Sequence, residues 1–81
     1  MAGKKTQDGL NVWGAVKTVL EKPRMTYREG RNHAYILNYP GLRPCPMATS
    51  THVGRMVAPW VAQATGMKKQ EVYRALRQGH W

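Results

Sequence analysis

Residues 58–77 read APWVAQATGMKKQEVYRALR, and three residues in that stretch set the path of the chain. Ala62 is followed four residues later by Gly66, and Val72 lies six residues beyond the glycine. A small side chain at position 62 lets two helices cross closely, where a bulky one would hold their axes apart. Gly66 tolerates the positive φ that ends a helix in a left-handed residue and turns the chain within a few positions. Val72 then fills the angle between the helices, with Val61, Met67, Ala75 and Leu76 around it. Pro59 suits a helix start, because the amide it lacks has no partner there. The second helix is predicted over 68–78. Its outward side chains are Lys68, Lys69, Gln70, Tyr73, Arg74 and Arg77, donors that reach phosphates and base edges.

Through this spacing, residues 58–77 resemble the helix-turn-helix DNA-binding superfamily. The resemblance implies a second helix lying in the major groove, with Ala62, Gly66 and Val72 as its turn and packing positions. It also implies two copies acting together, since one such unit spans few base pairs and specificity needs half-sites one helical turn apart. Two features depart from the superfamily pattern. Thr65 stands where an apolar side chain is usually buried, and the second helix opens on Lys68 and Lys69 against its own dipole, with no Ser, Thr or Asn cap. A phosphate at that helix start would neutralise the lysines.

The charge balance points the same way. The chain of 81 residues carries 13 Lys and Arg against 4 Asp and Glu, a formal charge of +9. The excess is spread along the chain, with seven basic and three acidic residues up to Pro40 and six and one from Gly41 onward. Such a balance in a small chain favours a polyanionic partner, nucleic acid first, without separating DNA from RNA. No apolar run approaches the length of a membrane span and no signal peptide opens the chain, so a cytoplasmic, nucleoid-associated protein without membrane contact is expected. Cys45 is the single cysteine, and His33, His52 and His80 fall at no metal-ligand spacing, so neither metal nor cofactor is expected.

At this length one domain is expected. Residues 1–9 are polar and basic and read as a flexible arm, in which Lys4 and Lys5 can lie along a phosphate backbone. Residues 10–81 form the domain, with 10–39 as a support or oligomerisation half and 50–79 as the helix-turn-helix half. Val12, Trp13, Val16, Val19 and Leu20 recur at helical spacing, with Asp8 or Asn11 able to cap the start and Lys22-Pro23 to stop it. Trp13, Val16 and Leu20 on this helix are the candidate dimer contact. Thr26 and Glu29 fit a capping box for a second helix over 27–37, with Ala34 and Leu37 inward. The alternative is a short strand over 34–39, whose aromatic and β-branched content permits one. Residues 39–49 hold Pro40, Gly41, Pro44 and Pro46 and read as a loop; Ser50 or Thr51 then caps a helix through Val57. Arg43 and Arg55 are further candidate backbone contacts. Only His80 and Trp81 follow Gly79, which leaves no room for a wing after the second helix.

The resulting expectation is a small all-α domain with a C-terminal helix-turn-helix, a sequence-specific DNA-binding protein of the small phage or plasmid regulator type. An enzyme is not expected: Asp8, Glu21, Glu29 and Glu71 are scattered, and there is no phosphate loop, nucleophile elbow or nucleophile–base–orienter set. Three alternatives stay open. One is an interaction protein docking on a polymerase or repressor. Another is the DNA-clamping domain of a tyrosine recombinase, which the early Trp-containing helix, Pro-rich middle and late basic helix loosely resemble. The third is a basic RNA-binding protein, for which exposed aromatics beside cations are needed and Tyr73 and Tyr27 are the candidates.

Overall fold

The computed structural model describes residues 4–31 and 35–81. The tip of the arm at 1–3 and residues 32–34, with His33 and Ala34, lie outside the described residues. In chain order the elements are α1 (Val12–Leu20), β1 (Thr26–Glu29), β2 (Tyr35–Asn38), β3 (Cys45–Met47), a π-helical segment (Val53–Val57), α2 (Ala58–Thr65) and α3 (Lys69–Gln78). One core joins all of these but β1. Val16 and Val19 of α1, Leu37 of β2, Met47 of β3, Val53 and Val57, Val61 of α2 and Val72 of α3 are all fully buried.

The fold is α+β, and the all-α expectation is overturned by a three-stranded antiparallel sheet of order β1-β2-β3. The helix expected over 27–37 is instead the first hairpin. Tyr27 pairs with Leu37 and Glu29 with Tyr35, which sets Tyr27, Tyr35 and Leu37 on one face, toward α1. A helix through this segment would have carried Gly30 in its interior, at a cost of about 1 kcal/mol, while giving up the strand preference of its tyrosines and Ile36. The Thr26–Glu29 capping box therefore never forms; those four residues are the exposed edge strand itself. The strand alternative over 34–39 contains β2. The segment read as a loop over 39–49 contains β3, where Cys45 and Met47 are buried and Pro46 is exposed. Pro46 is tolerated because β3 is an edge and its missing amide breaks no inner ladder.

α1 starts where its cap predicts. Asn11 Oδ1 accepts from the Gly14 amide at 2.7 Å, so Asp8 is released for another task. The helix expected from Ser50 or Thr51 starts later, after His52. Thr51 is instead buried, accepting from the Ala48 amide and donating to the Pro46 carbonyl. Pro59 explains the wide turn at 53–57: it has no amide to give the Arg55 carbonyl and its ring crowds that oxygen. The backbone opens by one residue, so that the Ala58 amide bonds the Val53 carbonyl, before α2 continues in α geometry.

α2 ends at Gly66, which has φ 78°, and the Gly66 amide donates to the Ala62 carbonyl at 2.8 Å. Thr65 resolves its polar position locally. Its hydroxyl donates to the Val61 carbonyl at 2.8 Å and accepts from the Met67 amide at 3.3 Å. Ala62 packs half-buried against the core that holds Val72. Val16, an expected dimer contact, is consumed inside the monomer, whereas Trp13 remains 39% exposed.

Candidate nucleic-acid interface

α3 buries Val72, Ala75 and Leu76, so the opposite side of the helix faces solvent. Helical geometry sets Gln70 and Arg74 near the centre of that side, with Arg77 beside them toward Tyr73. Lys68, Lys69, Gln70, Arg74 and Arg77 are all exposed. The helix start is not bare, because the Lys68 amide donates to Glu71 Oε1 at 3.3 Å. Glu71 thus supplies the cap and the first-turn negative charge that the absence of Ser, Thr or Asn had left open. All 13 lysines and arginines and all 4 acids fall within the described residues, and there no lysine or arginine lies within 4.0 Å of an Asp or Glu carboxylate. The positive charge is therefore uncompensated at contact distance.

Tyr73 differs from its neighbours. It is half-buried, and its hydroxyl donates to Asp8 Oδ2 at 2.9 Å. Asp8 gathers four such bonds. Thr6 Oγ1 donates to it at 2.7 Å, and the amides of Val53 and Gly54 donate at 3.1 Å each. His52 Nδ1 lies 3.6 Å away and accepts from the Arg55 amide at 3.2 Å. Asp8 satisfies the orphan amides of Val53 and Gly54 at the start of the helical stretch, where a negative charge is favoured, and the His52 ring shares the Arg55 amide with the His52 carbonyl. Burial pushes the Asp8 carboxyl up, but the bonds from Thr6, Val53, Gly54 and Tyr73 outweigh it and hold the group well below the usual carboxylate range. Arg77 completes the cluster: Nη1 donates to the Tyr73 hydroxyl at 3.2 Å, and its guanidinium sits 5.6 Å from the Tyr73 ring centroid. Gly54 makes room for this, since a Cβ there would meet the Tyr73 ring at 3.2 Å.

The other sequence-derived candidates separate. Lys4 and Lys5 are exposed, yet their backbone belongs to the fold: the Lys4 carbonyl accepts from the Val12 amide at 2.8 Å, and Lys5 bridges to Asn11. The Gln7 amide likewise donates to the Thr51 carbonyl at 2.9 Å. The described part of the arm is thus pinned against α1 and the helix pair. Arg43 is exposed in the β2–β3 connection, held to α2 because its carbonyl accepts from Trp60 Nε1 at 2.7 Å. Arg55 is exposed on the π-helical segment. A groove of about 450 Å³ runs between α1 and α3, flanked by Lys17, Glu21 and Arg77 and floored by small residues such as Gly14 and Gly79.

Sequence reasoning missed Asp8 as a long-range cap, and with it His52 and Gly54. The one available signal was an aspartate standing alone in a basic segment. It also missed that Trp13, Tyr27 and Tyr35 meet, with ring centroids 5.2 to 5.9 Å apart. The lone thiol of Cys45 is buried, which pushes its pKa up to about 11. Among the described residues no helix is long and apolar enough to cross a membrane, and no group of three His, Cys, Asp or Glu side chains could hold a metal ion. Compared with protein-family models, with curated proteins and with solved structures, the chain matches none.

Proposed function

We propose that the protein binds double-stranded DNA and reads the major groove with α3, as a small sequence-specific regulator. The observation that carries this reading is the outward side of α3. Gln70 and Arg74 stand one turn apart on it, exposed, in a chain whose cations have no carboxylate partner. An arginine donates two bonds to a guanine edge, and a glutamine pairs with adenine through two. Lys68 and Lys69 flank the helix start, where their charge meets a phosphate beside the Glu71 cap. The turn at Gly66 and the plug at Val72 fix the angle at which α3 leaves α2. Tyr73 takes a different role from its neighbours: it buttresses α3 through Asp8, and Arg77 rests on it at the edge of the reading side. The likeness of residues 58–77 to helix-turn-helix proteins supports the same assignment, and a homodimer would supply the second half-site. On this reading the protein works in the cytoplasm, at the nucleoid.

Selection of bound sequences from random duplex DNA, with matched RNA as competitor, tests the reading. Enrichment of a palindromic duplex site is expected. Arg74→Ala and Gln70→Ala should each relax discrimination at one base pair by about 1–3 kcal/mol, whereas Lys68→Ala should weaken all sequences alike. A uniform loss for Arg74→Ala across single-base variants of the site would reduce Arg74 to a phosphate contact and remove α3 as the reader.

A further inference from the structure

We infer that Trp13, Tyr27 and Tyr35 form a stacking platform for unpaired nucleobases, so that a single-stranded nucleic acid can lie across the side of the molecule where α1 meets β1. The three rings touch one another: Trp13 and Tyr27 meet edge to face with centroids at 5.5 Å, Trp13 and Tyr35 at 5.2 Å, and Tyr27 and Tyr35 at 5.9 Å. Three large hydrophobic side chains among the described residues are strongly exposed, and two of them are here, Trp13 at 39% and Tyr27 at 40%. Closing the core does not require this. Leu37 and Met47, paired in the ladder with Tyr27 and Tyr35, are already fully buried. The outer ring surfaces are therefore surplus to packing, and a planar apolar partner would remove them from water.

The charge around the rings selects the partner. Lys17 follows Trp13 by one helical turn and is exposed, and Arg31 is exposed just after β1; Arg28, between Tyr27 and Glu29, belongs to the other face of the sheet. Glu29, opposite Tyr35 in the ladder, is the one acid of the patch and pairs with none of these cations. A second copy of this chain, with 13 basic and 4 acidic residues, has no excess of acid to set against the cations of this patch. A polyphosphate chain brings the opposite charge together with π-faces at every nucleotide, and stacking on aromatics tolerates any base. The platform stands on its own observations and does not depend on α3 as a duplex reader.

The test is titration of the full chain with a single-stranded oligothymidylate of about ten nucleotides, followed by tryptophan fluorescence and oligonucleotide anisotropy. Quenching is expected, with inorganic polyphosphate as a charge-only probe producing none. Trp13→Ala and Tyr27→Ala should each weaken binding about tenfold, while Trp13→Phe and Tyr27→Phe, which keep a ring, should stay within about threefold of the parent. Arg74→Ala should leave this affinity unchanged, which separates the platform from the duplex-reading side. Equal affinity of parent and alanine variants would overturn the proposal, as would equal quenching by polyphosphate. A dimer that depends on Trp13 and that the oligonucleotide fails to dissociate would also overturn it. If Trp13→Ala lost its cooperative melting, Tyr27→Ala, on the exposed edge strand, would decide.

Discussion

Asp8 is the only aspartate in the chain, and it ties three distant parts together. Its partners lie 45, 46 and 65 residues away, at Val53, Gly54 and Tyr73. The side chain is 8% exposed, so removing its charge leaves amides and a hydroxyl without an equal acceptor. Asp8→Asn should therefore destabilise the fold by about 1–3 kcal/mol, read as a lower midpoint in urea. The pH dependence has a definite sign. The folded-state pKa is depressed, so the stabilisation is complete above the unfolded value of about 4 and is lost as pH falls from there toward the folded value. The parent should lose stability through that acid window and Asp8→Asn should not show this loss; parallel acid limbs for the two would refute the assignment. Gly54→Ala tests the same cluster from the other side, because its methyl presses on the Tyr73 ring. Its expected signature is a loss of stability that is smaller when Tyr73 is already Ala. None of this was legible in the sequence, where Asp8 sits three residues from a helix start and reads as its local cap. Contacts across such separations leave no periodicity to detect.

Legibility tracks the range over which an element is determined. α1, α2, the Gly66 turn and α3 each rest on neighbours within a turn or two: Asn11 on Gly14, the Gly66 amide on Ala62, Val72 and Leu76 on the apolar stripe. Their patterns are visible in the sequence. β1 and β2 are different. Taken locally, residues 26–37 satisfy a helix start as well as a short strand over 34–39, and the pairing of Tyr27 with Leu37 and the meeting of both tyrosines with Trp13 decide between them. The candidate interface divides in the same way. Gln70 and Arg74 are exposed side chains of a recognisable helix, whereas the inward turn of Tyr73 depends on Asp8. For the turn itself, Gly66→Val is the decisive change. At φ 78° a β-branched residue is strongly disfavoured although the site has open space, so backbone strain alone should lower stability by about 1–3 kcal/mol. Thermal melting checks this, and Gly66→Ala should fall between the parent and Gly66→Val.

Across the whole molecule, charge is the dominant unbalanced quantity. With +9 on a chain of this size and no lysine or arginine at contact distance from an Asp or Glu, the folded state gathers like charge that the unfolded chain holds farther apart. Added salt should therefore raise the melting temperature by screening, and a polyanion that binds the folded arrangement more tightly than the unfolded chain should raise it further. A melting temperature that fell steadily with salt would mean that ion pairing outweighs repulsion. The arm enters at this scale too. Because Lys4 and Lys5 carry backbone bonds to Val12 and Asn11, their charge is best removed by substitution and not by truncation. Lys4→Ala with Lys5→Ala should make nucleic-acid affinity less sensitive to salt while leaving the preferred sequence unchanged. Salt titrations on one duplex and one scrambled duplex would measure both.

Cys45 gives the molecule a built-in clock. Its thiol lies in an edge strand, yet it is buried and, at a pKa of about 11, almost wholly protonated near neutrality. The thiolate is the reactive form, so an alkylating reagent must wait for the strand to part from its neighbours before it can react. With no second cysteine to compete, the single modification rate follows openings of the sheet, their number where alkylation outpaces reclosing and the open fraction where reclosing is faster. A bound partner that holds the sheet closed should slow that count even where it leaves every spectrum unchanged.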